Sequence, residues 1–145
     1  MVKTQLAPII IGKLLNLGGM LHKHGNRILL PFNLNQHQFS IFFEIAKAGK
    51  VNQKEIVNRL ELEKAHISKA GKKLHDMQLI KIEPSKEDNR SAWLLLTNKG
   101  NETLGACMEI FEQWNKEWTD TVGKNQLHTI LESLTTLQTI FKEKI

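Results

Sequence analysis

Apolar residues recur along this chain with a period that changes along its length. From Leu6 onward, Ile10, Leu14, Leu17, Leu21 and Ile28 stand three, four or seven residues apart, which predicts a first helix up to the break at Pro31. Gly18, Gly19 and Gly25 lie inside it, and each costs about 1 kcal/mol relative to alanine. Packing within the fold or against another subunit has to offset that. Asn35-x-x-Gln38 is a capping-box pattern; it opens a second helix with Phe39, Phe42, Phe43 and Ile45 on one side, ending at Gly49. Asn52-x-x-Glu55 caps a short third helix carrying Ile56, Val57 and Leu60, and Glu61-Leu62-Glu63 separate it from a further helical stretch, 64–78.

After Gln78 the alternation becomes strand-like. Leu79-Ile80-Lys81-Ile82 and Ala92-Trp93-Leu94-Leu95-Leu96-Thr97 flank a polar tip from Ser85 to Ser91, which predicts a β-hairpin. Thr97 or Asn98 then caps a helix with Leu104, Met108, Phe111, Trp114 or Asn115, and Trp118 down one face, broken by Gly123. A last helix follows with Leu127, Ile130, Leu131, Leu134, Leu137 and Phe141. Two helices joined by a short turn, the second basic, outline a helix-turn-helix; with the hairpin behind it, the unit is a winged helix. The expected class is mainly α with a small β-hairpin wing.

At 145 residues and 41% hydrophobic, one domain with a real core is expected. Its division is a winged-helix lobe at about 33–100, with dimerisation helices at about 1–32 and 101–145. The outer helices are more apolar than a small winged-helix core needs, so the stripes Ile10/Leu14/Leu17/Leu21 and Leu127/Leu131/Leu134 are expected to meet a second copy. Glycines, lysines and histidines interrupt the first stripe before a membrane-spanning length, and no signal-peptide order is present. One cysteine, Cys107, excludes an intramolecular disulfide. The cytoplasm is the expected location.

Net charge is +5, unevenly placed: residues 1–100 carry 16 Lys+Arg against 8 Asp+Glu, and residues 101–145 carry 4 against 7. A basic lobe suits a polyanion, although a merely solvated basic surface has the same composition. With Ile67 as the core pole of the 64–78 helix, Gly71, Leu74 and Gln78 fall near it, and Ala65, Lys69 and Lys72 fall opposite. His66 and Lys73 flank that outer face on one side and Ser68 on the other. Lys64, Lys69, Lys72 and Lys73 precede any acid until Asp76. Cations for phosphates, small donors for base edges and a methyl for thymine are what entry into a major groove requires. In the loop Lys86-Glu87-Asp88-Asn89-Arg90-Ser91, an arginine at a hairpin tip can enter a narrow A·T-rich minor groove, with an aspartate orienting it.

These segments together resemble the MarR family of bacterial transcriptional regulators. The match runs through Asn52-Gln53-Lys54-Glu55-Ile56, Ala65-His66-Ile67-Ser68-Lys69, Asp88-Asn89-Arg90 and Leu96-Thr97-Asn98-Lys99-Gly100. The Asp-x-Arg wing followed by Leu-Thr-x-x-Gly is its specific part. The resemblance implies a homodimer that binds double-stranded DNA, with Lys69, Lys73, Ser68 and His66 in the major groove, Arg90 in the minor groove and Asp88 holding it. Gln53, Lys54, Lys64, Lys72 and Lys86 complete the expected DNA-facing set. The sequence departs from the family at Glu63, where a Ser or Asp cap is common, at His66, where a small hydroxyl residue is common, and at Gly71.

The family often binds small aromatic or lipophilic effectors between the DNA-binding lobe and the dimer helices. His22, Trp114 and Trp118 are the candidates here, with ordinary packing of the tryptophans as the preferred alternative. His22 and His24 stand two apart on a helix and point away from each other, so no metal site is expected. No cofactor is expected either. Cys107 reads as a buried, inert thiol. No nucleotide loop, nucleophile–base set or paired carboxylates announce an enzyme. The expected function is a sequence-specific, ligand-responsive repressor binding an inverted repeat. The alternative is a winged helix used only to bind protein, which would have no need of an outward lysine row beside an Asp-oriented wing arginine.

Overall fold

In the computed structural model, which describes residues 1–87 and 92–145, the first apolar stripe is one continuous helix, α1 (Lys3–Leu29). A 3-10 turn at Leu30–Phe32, with Pro31 in it, ends the run where proline removes the next donor. At Gly25 a Cβ would overlap Gln36 Oε1, so the missing side chain leaves room for the end of the Gln36 side chain at the start of the next helix. Asn26 Oδ1 fastens that start by accepting from Gln36 N at 2.7 Å. Little of α1 is covered; only Gly25 and Leu29 are buried, and Ile10, Leu17 and Leu21 are exposed. Over an 18-residue window its mean hydropathy reaches 1.2, enough by length and composition to cross a membrane despite the interruptions noted above. A helix whose apolar side is covered by protein has the same length and composition.

The second helix, α2 (Gln36–Ala48), begins in a complete capping box: Gln38 N donates to Asn35 Oδ1 at 2.8 Å and Asn35 N donates to Gln38 Oε1 at 3.0 Å. It is the central element of the core. Phe39, Ile41, Phe42 and Ile45 are buried on it, while Phe43 is only half-buried, its ring 6.1 Å from that of Phe39. The next helix, α3 (Gln53–Leu60), has the expected cap: Asn52 Oδ1 accepts from Glu55 N at 2.9 Å, while the Glu55 carboxylate lies 3.7 Å from Arg59.

Glu61, at φ 53°, turns the chain into α4 (Lys64–Asp76). Ile67, Ala70, Gly71 and Leu74 of α4 are buried, and it packs against α2 and α3. Gln78 falls outside the helix, exposed at φ 63°, where Leu79 N donates back to Leu74 O at 3.0 Å. The wing follows as β1 (Ile80–Pro84) antiparallel to β2 (Ala92–Leu96), with Ile80 opposite Leu96 and Pro84 opposite Ala92. Val51 adds an isolated bridge to Leu94 through reciprocal bonds of 3.2 and 2.7 Å, which local residue patterns do not announce.

The helix after the wing, α5 (Asn98–Thr119), is capped by Thr97, and α6 (Lys124–Lys144) starts after Gly123. The chain divides into two compact units, Met1–Met108 and Glu109–Ile145, with the boundary inside α5. In the first, Leu29, Ile41, Phe42, Ile45, Val51, Ile56, Ile67, Leu74, Leu79, Ile80 and Cys107 are fully buried. In the second, α6 has no buried residue: Leu127 is half-buried, and Leu131 and Leu134 are exposed.

Candidate nucleic-acid interface

The helix pair α3–α4 is built by burying Ile56 of α3 and Ile67 and Leu74 of α4, and that packing decides what α4 shows to solvent. Lys64, Ala65, His66, Lys69 and Lys72 are exposed, and Ser68 and Lys73 are half-buried on the flanks. The helical-wheel assignment thus holds at every one of these positions, and fails only at Gln78. Among the described residues, none of the four lysines takes part in an ion pair.

The first turn of α4 carries Lys64 and no acid, and its cap residue, Glu63, makes no side-chain cap bond. A cation at a helix N-terminus costs about 0.3–1 kcal/mol against the macrodipole. The charge order of the isolated helix is nonetheless mixed, since Glu63 at the N-cap and Lys73 in the last turn favour the macrodipole.

Two groups outside α4 belong to the same region. Gln53 is half-buried in the first turn of α3 and accepts a hydrogen bond from Ser68 Oγ at 3.0 Å, tying the two helices together at their solvent side; Lys54 beside it is exposed. On the wing Lys86 is exposed, while Ser85 is buried with its Oγ accepting from Glu87 N at 3.3 Å. Asp88 and Arg90, the expected minor-groove pair, lie outside the described residues. Sequence reasoning missed Lys50, whose Nζ stands 5.0 Å from the centroid of the Trp93 ring on β2. A lysine just past a glycine helix stop, next to a strand-forming valine, was the available signal.

The Leu-Thr-x-x-Gly segment proves to be structural. Thr97 Oγ1 donates to Gln78 O at 2.6 Å and accepts from Gly100 N at 2.9 Å, capping α5 while holding the turn that follows α4. A Cβ on Gly100 would overlap Leu79 O, so only glycine admits this crossing.

The remaining candidates fall in both units. His22 is half-buried on α1 with its ring 4.8 Å from that of His37, within the first unit. Trp114 and Trp118 have ring centroids 6.3 Å apart in the second, where Trp118 Nε1 donates to Asn115 Oδ1 at 3.1 Å. Among the described residues no cluster of three or more His, Cys, Asp or Glu is arranged to hold a metal. Burial pushes the Cys107 thiol up to about 11, well away from a reactive thiolate.

Comparison with known proteins agrees with this architecture. The MarR family model matches residues 34–92. The HTH-type transcriptional regulator BilQ of Clostridioides difficile is 26% identical over 119 residues, covering 77% of this chain and 80% of the relative. The regulator MgrA of Staphylococcus aureus is 31% identical over 81 residues, and the match spans about half of each protein, 56% of this chain and 54% of MgrA. Among solved structures, a Staphylococcus aureus MarR in complex with salicylate and kanamycin superposes with a TM-score of 0.85 at 23% identity, covering 97% of this chain and 95% of that one. A mutant MarR of Escherichia coli complexed with operator DNA gives 0.80 at 18% identity, covering 90% and 95%. At such identities these structures speak to the fold.

Proposed function

We propose that the chain, whose residues 34–92 match the MarR family model, is a DNA-binding, winged-helix transcriptional regulator of that family: a repressor that binds an inverted-repeat operator as a homodimer and is released by a small ligand. The observation that carries this reading is the cationic face of α4, the second helix of the helix-turn-helix, with Lys64, Lys69 and Lys72 in solvent and in no ion pair among the described residues. A helix of ordinary diameter, about 10–12 Å, fits a major groove about 12 Å wide. Lysines along its outer side then meet phosphates, while Ala65, His66 and Ser68 meet base edges. Arg90, oriented by Asp88, and Lys86 are assigned to the neighbouring minor groove and backbone.

The exposed stripes of α1 and α6 support a dimer. Leu17 and Leu21 on α1 and Leu131 and Leu134 on α6 are exposed in a single copy, an apolar surface that water disfavours by about 25 cal/mol for each Å². The salicylate complex of a structural neighbour motivates the ligand response. A regulator of this kind works on chromosomal DNA in the cytoplasm, and its family is one of regulators rather than enzymes.

Selection of bound duplexes from a random library tests the reading. An enriched inverted repeat with half-sites about one helical turn apart, 10–10.5 bp, is the expected result. Recovery of no enriched duplex, from protein shown to be folded, would refute it in favour of a protein-binding module.

A further inference from the structure

The hydrogen bond between Ser68 and Gln53 has a consequence for which bases this helix-turn-helix selects. Hydroxyls on the other helices mostly turn inward on their own backbone: Ser40 Oγ donates to Gln36 O, and Thr129, Thr135, Thr136 and Thr139 donate to the carbonyl four residues before them. Ser68 does not. Its Oγ donates across the helix pair to Gln53 Oε1 at 3.0 Å, and among the described residues neither side chain makes another side-chain hydrogen bond. A serine hydroxyl has one proton and two lone pairs. With the proton held by Gln53, what Ser68 shows outward is an acceptor alone, whereas a free serine serves as either donor or acceptor and reads no base in particular.

We infer that Gln53 is a specificity-positioning residue: by holding the Ser68 proton it makes Ser68 select a base that presents an amino group in the major groove. This rests on the DNA-reading role proposed above. Adenine N6 and cytosine N4 are the amino groups displayed there, while guanine O6 and thymine O4 are acceptors. Ser68 therefore favours adenine or cytosine at one position of each half-site and disfavours guanine or thymine. Gln53 keeps its own amide N–H donors for a phosphate or a ring nitrogen nearby. Both side chains are half-buried at the solvent side of the α3–α4 pair, accessible to a ligand and restrained by their neighbours.

The test uses the full-length protein and the duplex selected from a random library, with each base placed in turn at every position. The position assigned to Ser68 is the one whose preference disappears in Ser68→Ala. Wild type should favour an amino-bearing base there by at least about fivefold. Gln53→Ala frees the hydroxyl to rotate, so discrimination at that position should fall below about twofold, with the other positions unchanged. Gln53→Glu still accepts the proton, so it should keep the adenine-or-cytosine preference even as added negative charge weakens binding to every duplex. Circular dichroism of each variant establishes that it is folded.

A guanine or thymine preference in wild type overturns the inference, as does a Gln53→Ala protein that still discriminates or a Gln53→Glu protein that does not. If Gln53 only braced α3 against α4, its removal would weaken all duplexes alike, leaving the profile intact. Failure to enrich any duplex removes the DNA-reading role itself and this inference with it, so the two failures are distinguishable.

Discussion

The salt dependence of DNA binding offers a quantitative test of the α4 face. Each subunit presents Lys64, Lys69, Lys72 and Lys73 without an ion-pair partner among the described residues. If all of them neutralise phosphates in a dimer, about eight counterion-releasing contacts form and the slope of log K against log salt is about −7. Replacing Lys69 by alanine changes both subunits, removes about two contacts and should bring the slope to about −5.4. Raising salt from about 50 to 200 mM then costs wild type roughly four decades of affinity and the variant roughly three. Fluorescence anisotropy with a labelled operator at four or more salt concentrations measures this directly. Lys72→Ala should behave alike. Should Lys69 instead read guanine, its loss would cost about 1–3 kcal/mol on the preferred duplex and much less on others. If both variants bind every duplex with wild-type slope and affinity, α4 does not face DNA and the proposed interface is wrong.

Other consequences are independent of that one. Arg90→Ala should weaken binding most where the flanks are A·T-rich and little where they are G·C-rich, and Asp88→Ala should imitate it partially; equal losses on both flanks would place the wing elsewhere. Sedimentation at micromolar concentration should give a dimer, and Leu17→Glu with Leu131→Glu should dissociate it; a folded wild-type monomer refutes the dimer. Gly100→Ala forces a Cβ into Leu79 O, and should lower stability by about 1–3 kcal/mol in thermal unfolding; an unchanged melting temperature would mean the crossing has slack. The Cys107 thiol is raised by burial from 9.0 to about 11, so unfolded chains lose this proton first as pH rises. Stability from this group is therefore full below pH 9 and lost between 9 and about 11, and a Cys107→Ala protein should lack that part of the alkaline decline.

What can be read from sequence is whatever repeats with a period or acts over a few residues. Ile67, Gly71 and Leu74 declare the inner side of α4, and Asn35-x-x-Gln38 declares the start of α2, because burial and capping act on residues close in sequence. What escapes depends on encounters between distant segments. The Val51–Leu94 bridge and the Ser68–Gln53 bond join residues with no local signature, and the place of Lys50 after a helix stop does not name Trp93 as its neighbour. Gly25 is hidden for the same reason: its helix cost is visible locally, whereas the Gln36 side chain that occupies its missing Cβ lies on another helix. Gln78 belongs to the helix by angle alone, yet the chain turns there at positive φ so that Leu79 can begin the wing.

The half-site spacing proposed above requires each recognition helix to be held rigidly relative to the surface through which the subunits pair. Within the first unit that linkage is short. Gln36 N is fixed on Asn26 Oδ1 at 2.7 Å, and the side chain of Gln36 fills the gap over Gly25, so the start of α2 is locked to the end of α1. From there α2 packs directly on α4 through its buried side chains. An exposed apolar face on α1 and an exposed cationic face on α4 are therefore linked through α2. Asn26→Ala removes the bond at the first step and should leave non-specific, salt-driven binding intact, since the α4 lysines are untouched. Tight binding should then become less sensitive to inserted base pairs between half-sites, because each recognition helix gains freedom relative to the pairing surface. Affinity measured on duplexes with zero, five and ten inserted base pairs, about half and one helical turn, reads that freedom. A variant whose spacing preference is as sharp as wild type would show that the orientation is set by another contact.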